Sequence, residues 1–593
     1  MAETKSNVIR GGSFLIDTGS CEEVFTPEDI SEEHRMIAKT TEDFIIHEVR
    51  PRLDEIEEQH FDLSVQLLKE AGKLGLLGAD VPEAYGGLGL DKVSSALITE
   101  KFALARSFAI SYGAHVGIGS LPIVYFGSEE QKRRYLPDLA SGARLAAYCL
   151  TEPGSGSDAL GAKTVARLSA DGKHYILNGE KQWITNGGFA DVFIVYAKID
   201  GEQFTAFIVE RTFPGVSFGQ EEKKMGIKGS STRTVILQDV PVPVENLLGE
   251  PGRGHVIAFN ILNIGRYKLA LGTVGSAKHA LQLAATYAKG RKQFQTAIAN
   301  FPLIQNKLAN MAIKLYAAES SVYRTVGLFD SAMSALGEKA EIGGEAAKAI
   351  ADYAIECSIN KVFGSEMLDY CVDEGLQIHG GYGFMSEYEI EHMYRDSRIN
   401  RIFEGTNEIN RLLIPDMLAK KAMKGELPLL AEAARLQEEL LQYYPAEVEE
   451  APLAAEKHLL AMTRKIILMV AGSAMRKYQQ ALAKEQELLS LVADTIIQLY
   501  AMDSVVKRTE KAFGINGTDK EQHKWELTTV FVHEAFDKVE AWAKEALAAM
   551  EEGDELRLRL SILRKLARRN PVNVIHLKRT IADRVIKADG YAV

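Results

Sequence analysis

The stretch Tyr394-Arg395-Asp396-Ser397-Arg398-Ile399-Asn400-Arg401-Ile402-Phe403-Glu404-Gly405-Thr406-Asn407-Glu408-Ile409 reads as a basic helix turning into a loop, with one carboxylate between an aromatic and a glycine. Gly405 lets another molecule approach the backbone, and Ile402 and Phe403 offer an apolar wall that would raise the proton affinity of Glu404. That is a setting for a general base. The competing reading pairs Glu404 with Arg401 or another nearby Arg at a helix end, the commoner fate of a glutamate in such a segment. The surrounding chain decides between them.

Working outward, residues 255–416 read as helices, beginning with the long apolar-periodic run after His255. Before them, residues 146–254 change period. TVARLSADGKHYILNGEKQWITNGG reads as a hairpin about Asp171-Gly172, and DVFIVYAKI, FTAFIVE and TRTVILQDV are β-rich runs between turn residues. Residues 27–145 are helical again, opening with Thr26 as a cap before Pro27-Glu28-Asp29. The breaks PEAYGGLGL and GAHVGIGS separate these helices; Gly113, Gly117 and Gly119 serve either close packing or a long ligand. The order α, β, α gives an α+β fold whose ligand lies between layers. After Asp416, Pro428, Pro445, Pro452 and the acidic run AEVEEAP mark a connection to a further helical domain, 430–593. Within it, LRLRLSILRKLARRN suits either a packed helix with a solvated basic face or a membrane-surface helix.

A chain of 593 residues with 46% hydrophobic and 25% charged residues has the balance of a globular protein, and the net charge of -12 opposes generic nucleic-acid binding. Four separated cysteines without a CxxC pair suggest neither a zinc site nor a disulfide framework. With no signal-peptide core at the start and no uninterrupted apolar run of membrane-spanning length, a cytoplasmic location is expected.

Four further segments decide the reading of Glu404. Tyr148-Cys149-Leu150-Thr151-Glu152-Pro153-Gly154-Ser155-Gly156-Ser157-Asp158 is a tight loop exposing N–H and hydroxyl donors, and Trp183-Ile184-Thr185-Asn186-Gly187-Gly188 ends a strand. Arg291-Lys292-Gln293-Phe294 offers a permanently charged guanidinium, and Gln377-Ile378-His379-Gly380-Gly381-Tyr382-Gly383-Phe384 is glycine-rich without being a nicotinamide fingerprint. Together with FEGTNE these segments resemble the acyl-CoA dehydrogenase family over about residues 27–415, and the C-terminal addition resembles the very-long-chain type.

The resemblance implies an acyl-CoA dehydrogenase fold and an FAD-dependent enzyme with Glu404 as catalytic base. It places Tyr148, Leu150, Thr151, Ser157, Trp183, Ile184, Thr185, Arg291, Phe294, Gln377, Gly380, Gly381, Thr406 and Glu408 at the cofactor, the glycine-rich turn often meeting a neighbouring subunit's FAD. Ser157, Asn263, Arg266 and Gly405 are implied at the substrate. Gln295 departs from the family's R-x-x-F-G and puts that local turn in doubt, while Gly265, where a few members place the base, cannot serve. His379 is expected to be structural, and no metal is expected. The implied reaction introduces a trans-2 double bond into a fatty, expectedly long-chain, acyl-CoA in the first step of β-oxidation, with electron-transfer flavoprotein as acceptor and a homodimer as assembly. An acyl-CoA oxidase and a related protein recruited to a respiratory assembly are the alternatives.

Overall fold

The computed structural model describes residues 8–17, 19–441 and 451–593; residues 445–450, with Pro445 and most of the acidic run, lie outside the described residues. The N-terminal helices include Glu32–Phe44, Phe61–Lys73, Lys92–Phe102, Ser107–Gly113 and Glu129–Ser141. The helix expected to start at Thr26 is a single 3-10 turn, Pro27–Asp29, because Asp29 Oδ2 turns back to accept from Thr26 N at 2.8 Å and Ile30 is extended. Ser31 caps the true helix, accepting from His34 N at 3.2 Å.

Eight strands follow: β1 (Ala146–Cys149), β2 (Val165–Leu168), β3 (His174–Thr185), β4 (Val192–Ile199), β5 (Gln203–Glu210), β6 (Val216–Phe218), β7 (Thr232–Pro243) and β8 (Leu247–Leu248). They form one sheet in the order β6-β7-β3-β2-β4-β5-β8, with β1 pairing parallel to β4. The β2–β3 hairpin turns at Gly172, whose φ of 70° needs glycine. Strand β4 is buried on both faces. Val192, Ile194 and Tyr196 join the helical core, whereas Phe193, Val195 and Ala197 join a second core within the β domain.

Helices Gly254–Gly290, Pro302–Leu336, Ala354–His379 and Asn407–Met423 then pack as a bundle. The C-terminal region adds Leu429–Leu441, Ala454–Tyr478, Gln486–Asn516, Gln522–Met550, Gly553–Leu566 and Val574–Ala588. The basic segment expected at 556–570 is a packed helix with Ile562, Leu563 and Leu566 buried and Arg557, Arg564 and Lys565 exposed. One expectation needs correction: the segments Ser107–Phe126, Ala454–Lys484 and Gln486–Asn516 are long and apolar enough to cross a membrane. In the fold they are largely buried against other helices, which explains composition so apolar on every side.

The C-terminal helices share the core of the preceding bundle. Arg508 reaches Glu319 at 2.7 Å and Glu28 at 2.9 Å, while Lys278 and the Tyr591 hydroxyl also meet Glu319 at 2.5 and 2.8 Å. Glu319 and Arg508 are buried and Glu28, Lys278 and Tyr591 half-buried, and despite burial the two cations hold the Glu319 carboxyl down, to about 2. One carboxylate thus joins four segments of chain. Replacing Arg508 by Met would leave Glu319 and Glu28 undercompensated, so stability to urea should fall by about 3–5 kcal/mol; an unchanged midpoint would show that the cluster is dispensable.

Candidate active site

Helix Glu389–Ser397 and the 3-10 turn Arg398–Arg401 deliver the chain to Glu404, which takes a left-handed φ of 58° before Gly405 at 81°. A non-glycine residue there costs about 1–2 kcal/mol, so the surroundings must hold it. Asn410 Nδ2 donates to Gly405 O at 2.8 Å and Thr406 O at 3.0 Å, and Arg266 Nε donates to Glu404 O at 3.2 Å. Arg401 pairs instead with Asp369 at 3.1 Å, and Arg266 reaches the backbone oxygen of Glu404, not its carboxylate, so among the described residues no arginine pairs with that carboxylate.

The Glu404 carboxylate points at helix Gly254–Gly290. A Cβ on Gly265 would lie 2.4 Å from Oε2, so any side chain at 265 would collide with the carboxylate. Oε2 is sealed from solvent and has no hydrogen-bond partner among the described residues. Burial pushes this carboxyl up to about 7, against the opposing pull of Arg266 and Lys361. A base with that proton affinity is matched to neutral pH.

Glu404 borders a predominantly apolar cavity of about 230 Å³. One stripe of the long helix lines it: Gly265, Lys268, Gly272, Ser276 and His279. From Gly265 to His279 is fourteen residues, ~21 Å at 1.5 Å per residue. Gly113 and Gly117 line the opposite wall with open space where a Cβ would stand, whereas Gly119 packs tightly, its Cβ position 2.8 Å from Ala146 Cβ. The glycine-rich break therefore packs closely at Gly119 and leaves room in the cavity at Gly113 and Gly117.

Beside the cavity, β3 slips register between Lys181 and Ile184 against β7. This bulge turns Trp183 to a φ of 58° and leaves its side chain 59% exposed, with Thr185 lining the cavity. The neighbouring loop is pinned by a buried pair, Lys181 Nζ to Glu152 Oε1 at 2.7 Å, and Glu152 also accepts from Lys163 N and Thr164 N. Ser157 is left exposed at its tip. A flat aromatic wall with hydroxyl and N–H donors alongside fits a flavin ring.

The other implied cofactor residues gather elsewhere. Arg291 lies 5.5 Å from the Tyr382 ring centre, and Tyr287 stacks on His379 at 4.2 Å, joining Arg291 to the turn at Gly380 and Gly381, while Phe294 meets Phe301 edge-on at 6.2 Å. His379 is buried with Nδ1 on Gly375 O at 2.7 Å, a structural role as expected. The turn placed in doubt by Gln295 forms nonetheless: Phe294 and Gln295 both have positive φ, 50° and 64°, in a two-residue hairpin. This second group sits at the far end of the long helix. Gly265 to Gly290 spans twenty-five residues, ~38 Å.

The domain sequence matches Acyl-CoA dehydrogenase N-terminal domain over residues 31–143, middle domain over 147–240, and two C-terminal domains over 252–418 and 462–565. A "Probable acyl-CoA dehydrogenase" of Bacillus subtilis (strain 168) is 63% identical, with 100% of both chains covered. The chain belongs to the acyl-CoA dehydrogenase family. The mitochondrial very long-chain specific acyl-CoA dehydrogenase of Macaca fascicularis is 38% identical over 83% of this chain and 75% of that one. A crystal structure of a Bacillus anthracis acyl-CoA dehydrogenase complexed with FAD superposes with a TM-score of 0.97 at 66% identity, covering 99% of this chain and 100% of that one.

Of the residues implied for an acyl-CoA dehydrogenase site, Glu404 and Thr185 line the cavity and Arg266 donates to Glu404 O, while Gln182 N donates to Thr151 O and so ties the loop running from Tyr148 to Ser157 to the strand bearing Trp183, Ile184 and Thr185. The fold places Arg291, Phe294, Gln377, Gly380 and Gly381 at the other end of the long helix. Asn263 is buried, with Oδ1 accepting from Arg266 Nη1 at 2.9 Å, so it acts on the arginine. The sequence reading missed Lys361. This buried lysine donates to Asn407 Oδ1 at 2.7 Å, and Asn407 Nδ2 donates to Glu366, which pairs with Arg411, itself on Asp494 of the C-terminal region at 2.9 Å. A lysine amid the apolar run around Ile359, Val362 and Phe363 was the available signal.

A carboxylate accepts a proton only when ionised, so with Glu404 in the role that the family resemblance implies, flavin reduction should accelerate as pH rises through about 7. Burial pushes Lys361 down to about 7, so on the acidic side of the profile it is charged, and removing it there takes away an opposite charge and raises the carboxyl's proton affinity. In Lys361→Met the acidic limb of a stopped-flow pH profile should therefore move to higher pH, by up to about one unit. A limb that stays in place, or moves to lower pH, would separate Lys361 from the base.

Proposed function

We propose that this chain is an FAD-dependent acyl-CoA dehydrogenase that introduces a trans-2 double bond into long-chain fatty acyl-CoA, the first step of β-oxidation. The observation that carries it is the buried Glu404 carboxylate at the apolar cavity, raised to about 7 and facing a glycine that leaves it room. The α-hydrogen of a thioester is only modestly acidic, so a base needs both proximity and a proton affinity near the working pH. Glu404 receives that proton on Oε2. Arg266 and Asn410 hold its backbone in line, and the cavity excludes water from the chain. Trp183, Thr185 and the loop to Ser157 would hold FAD, which when bound supplies acceptance of the β-hydride.

The cavity's ~21 Å run along the helix supports the long-chain preference. A homodimer is proposed because Arg291 and the Gly380 turn lie too far from Glu404 to serve the same cofactor within one chain, and because Phe294 and Phe384 beside them are 90% and 81% exposed. Electron-transfer flavoprotein as acceptor and a cytoplasmic setting complete the proposal, the first on the family resemblance, the second on the burial of the long apolar helices.

Glu404→Gln should retain flavin and lose about 10²–10⁴-fold in the rate of anaerobic flavin reduction by acyl-CoA; substantial remaining activity would sink the assignment. Gly272 faces open space, so Gly272→Leu should shorten the preferred acyl chain without abolishing turnover of short ones. Reoxidation of reduced enzyme by air with stoichiometric hydrogen peroxide, at the dehydrogenation rate, would instead identify an oxidase.

A further inference from the structure

The far end of the cavity is not apolar. Where the glycine stripe ends at His279, the cavity wall is completed by Arg106, Glu389 and Asp396. These groups form one cluster: Arg50 holds Glu389 with two bonds, at 3.1 and 3.2 Å, and also donates to Leu104 O at 3.2 Å, two residues from Arg106, while Glu389 meets His279 Nε2 at 3.1 Å. Arg106 is the group left over. Its side chain is only 10% exposed, its nearest carboxylate oxygen, Glu57 Oε1, is 3.9 Å from Nε, and neither Nε nor Nη2 has a hydrogen-bond partner among the described residues. Its backbone is held at φ 52° and ψ -127°, a conformation that a non-glycine residue adopts at a cost of about 1–3 kcal/mol, between the turn Ala103–Ala105 and helix Ser107–Gly113.

A plain hydrocarbon tail reaching this end would strip water from a guanidinium and return no hydrogen bond, which is costly. A tail ending in an oxygen would restore what desolvation removes. We propose that the cavity selects acyl chains carrying a neutral oxygen, a hydroxyl or keto group, at the end remote from the thioester, with Arg106 as its donor. A terminal carboxylate fits less well, because Glu57 and Asp396 already set negative charge beside the guanidinium. This inference rests on the acyl-CoA reading and names the class of substrate for that same cavity.

The test compares anaerobic flavin reduction of the holoenzyme by unsubstituted, ω-hydroxy and ω-carboxy acyl-CoAs across a series of matched chain lengths. At the length that reaches Arg106, the ω-hydroxy chain should exceed the unsubstituted one by about tenfold in kcat/KM, with the ω-carboxy chain below the ω-hydroxy. In Arg106→Met the ratio of hydroxy to unsubstituted should collapse to about one, flavin content and Tm being checked alongside. An unsubstituted chain that equals or exceeds its ω-hydroxy partner at every length overturns the proposal from wild type alone, as does a preference for the carboxylate; a ratio that survives Arg106→Met overturns the assigned donor. Failure of the underlying reading looks different: no acyl-CoA of any kind would then reduce the flavin.

Discussion

Taking one carboxylate out of water is the constraint around which this molecule is arranged. Glu404 can sit against the long helix only because position 265 has no side chain, and it can present its oxygen there only because its own backbone is held in a left-handed conformation. Both conditions are costly in isolation. The cost is met by Arg266 and Asn410 on the backbone and by Lys361 and Arg266 as cations within reach of the charge. What results is a carboxyl poised between its protonation states near neutral pH, the property that a base for a weakly acidic carbon needs.

The C-terminal region enters this arrangement in two ways. Through Arg508 it meets Glu319 and Glu28, tying the last helices to the central bundle and to the turn Pro27–Asp29 near the start of the chain. Through Asp494 it meets Arg411, and so continues the hydrogen-bonded path that ends at Lys361 and the loop bearing Glu404. Burial of ion pairs on this scale gains little net stability against desolvation, but breaking any partner is expensive, so the network specifies one packing of the helices. The long helix Gly254–Gly290 is the measure of the whole. Gly265, inside its first half, faces Glu404, the stretch on to His279 lines the cavity, and the C-terminal end carries Arg291, about 38 Å from Gly265.

Much of the site was legible before folding. Glu404 between Phe403 and Gly405, the donor-rich loop to Ser157 and the tryptophan at the end of a strand are local patterns whose chemistry shows in the residues themselves. The β hairpin at Gly172 was legible for the same reason, since a glycine with positive φ marks a turn wherever it occurs. Local reading failed where a distant group won. Glu28 looked like the acidic first turn of a helix, but it serves Arg508 and the helix starts later, at Ser31. Helices apolar enough to span a bilayer are apolar because neighbours cover them on most sides, which periodicity along one segment cannot reveal.

The sequence by itself determined the order of helical and β regions and the family resemblance, and it singled out Glu404 as a candidate base, because each rests on short-range pattern or on residue types at set spacings. Only the tertiary structure decided that Gly265 stands opposite Glu404, that Lys361 and Asp494 belong to its surroundings, and that Arg106 closes the cavity. These pairs lie from tens to hundreds of residues apart, and what brings them together is helix packing, whose angles and offsets no local pattern encodes.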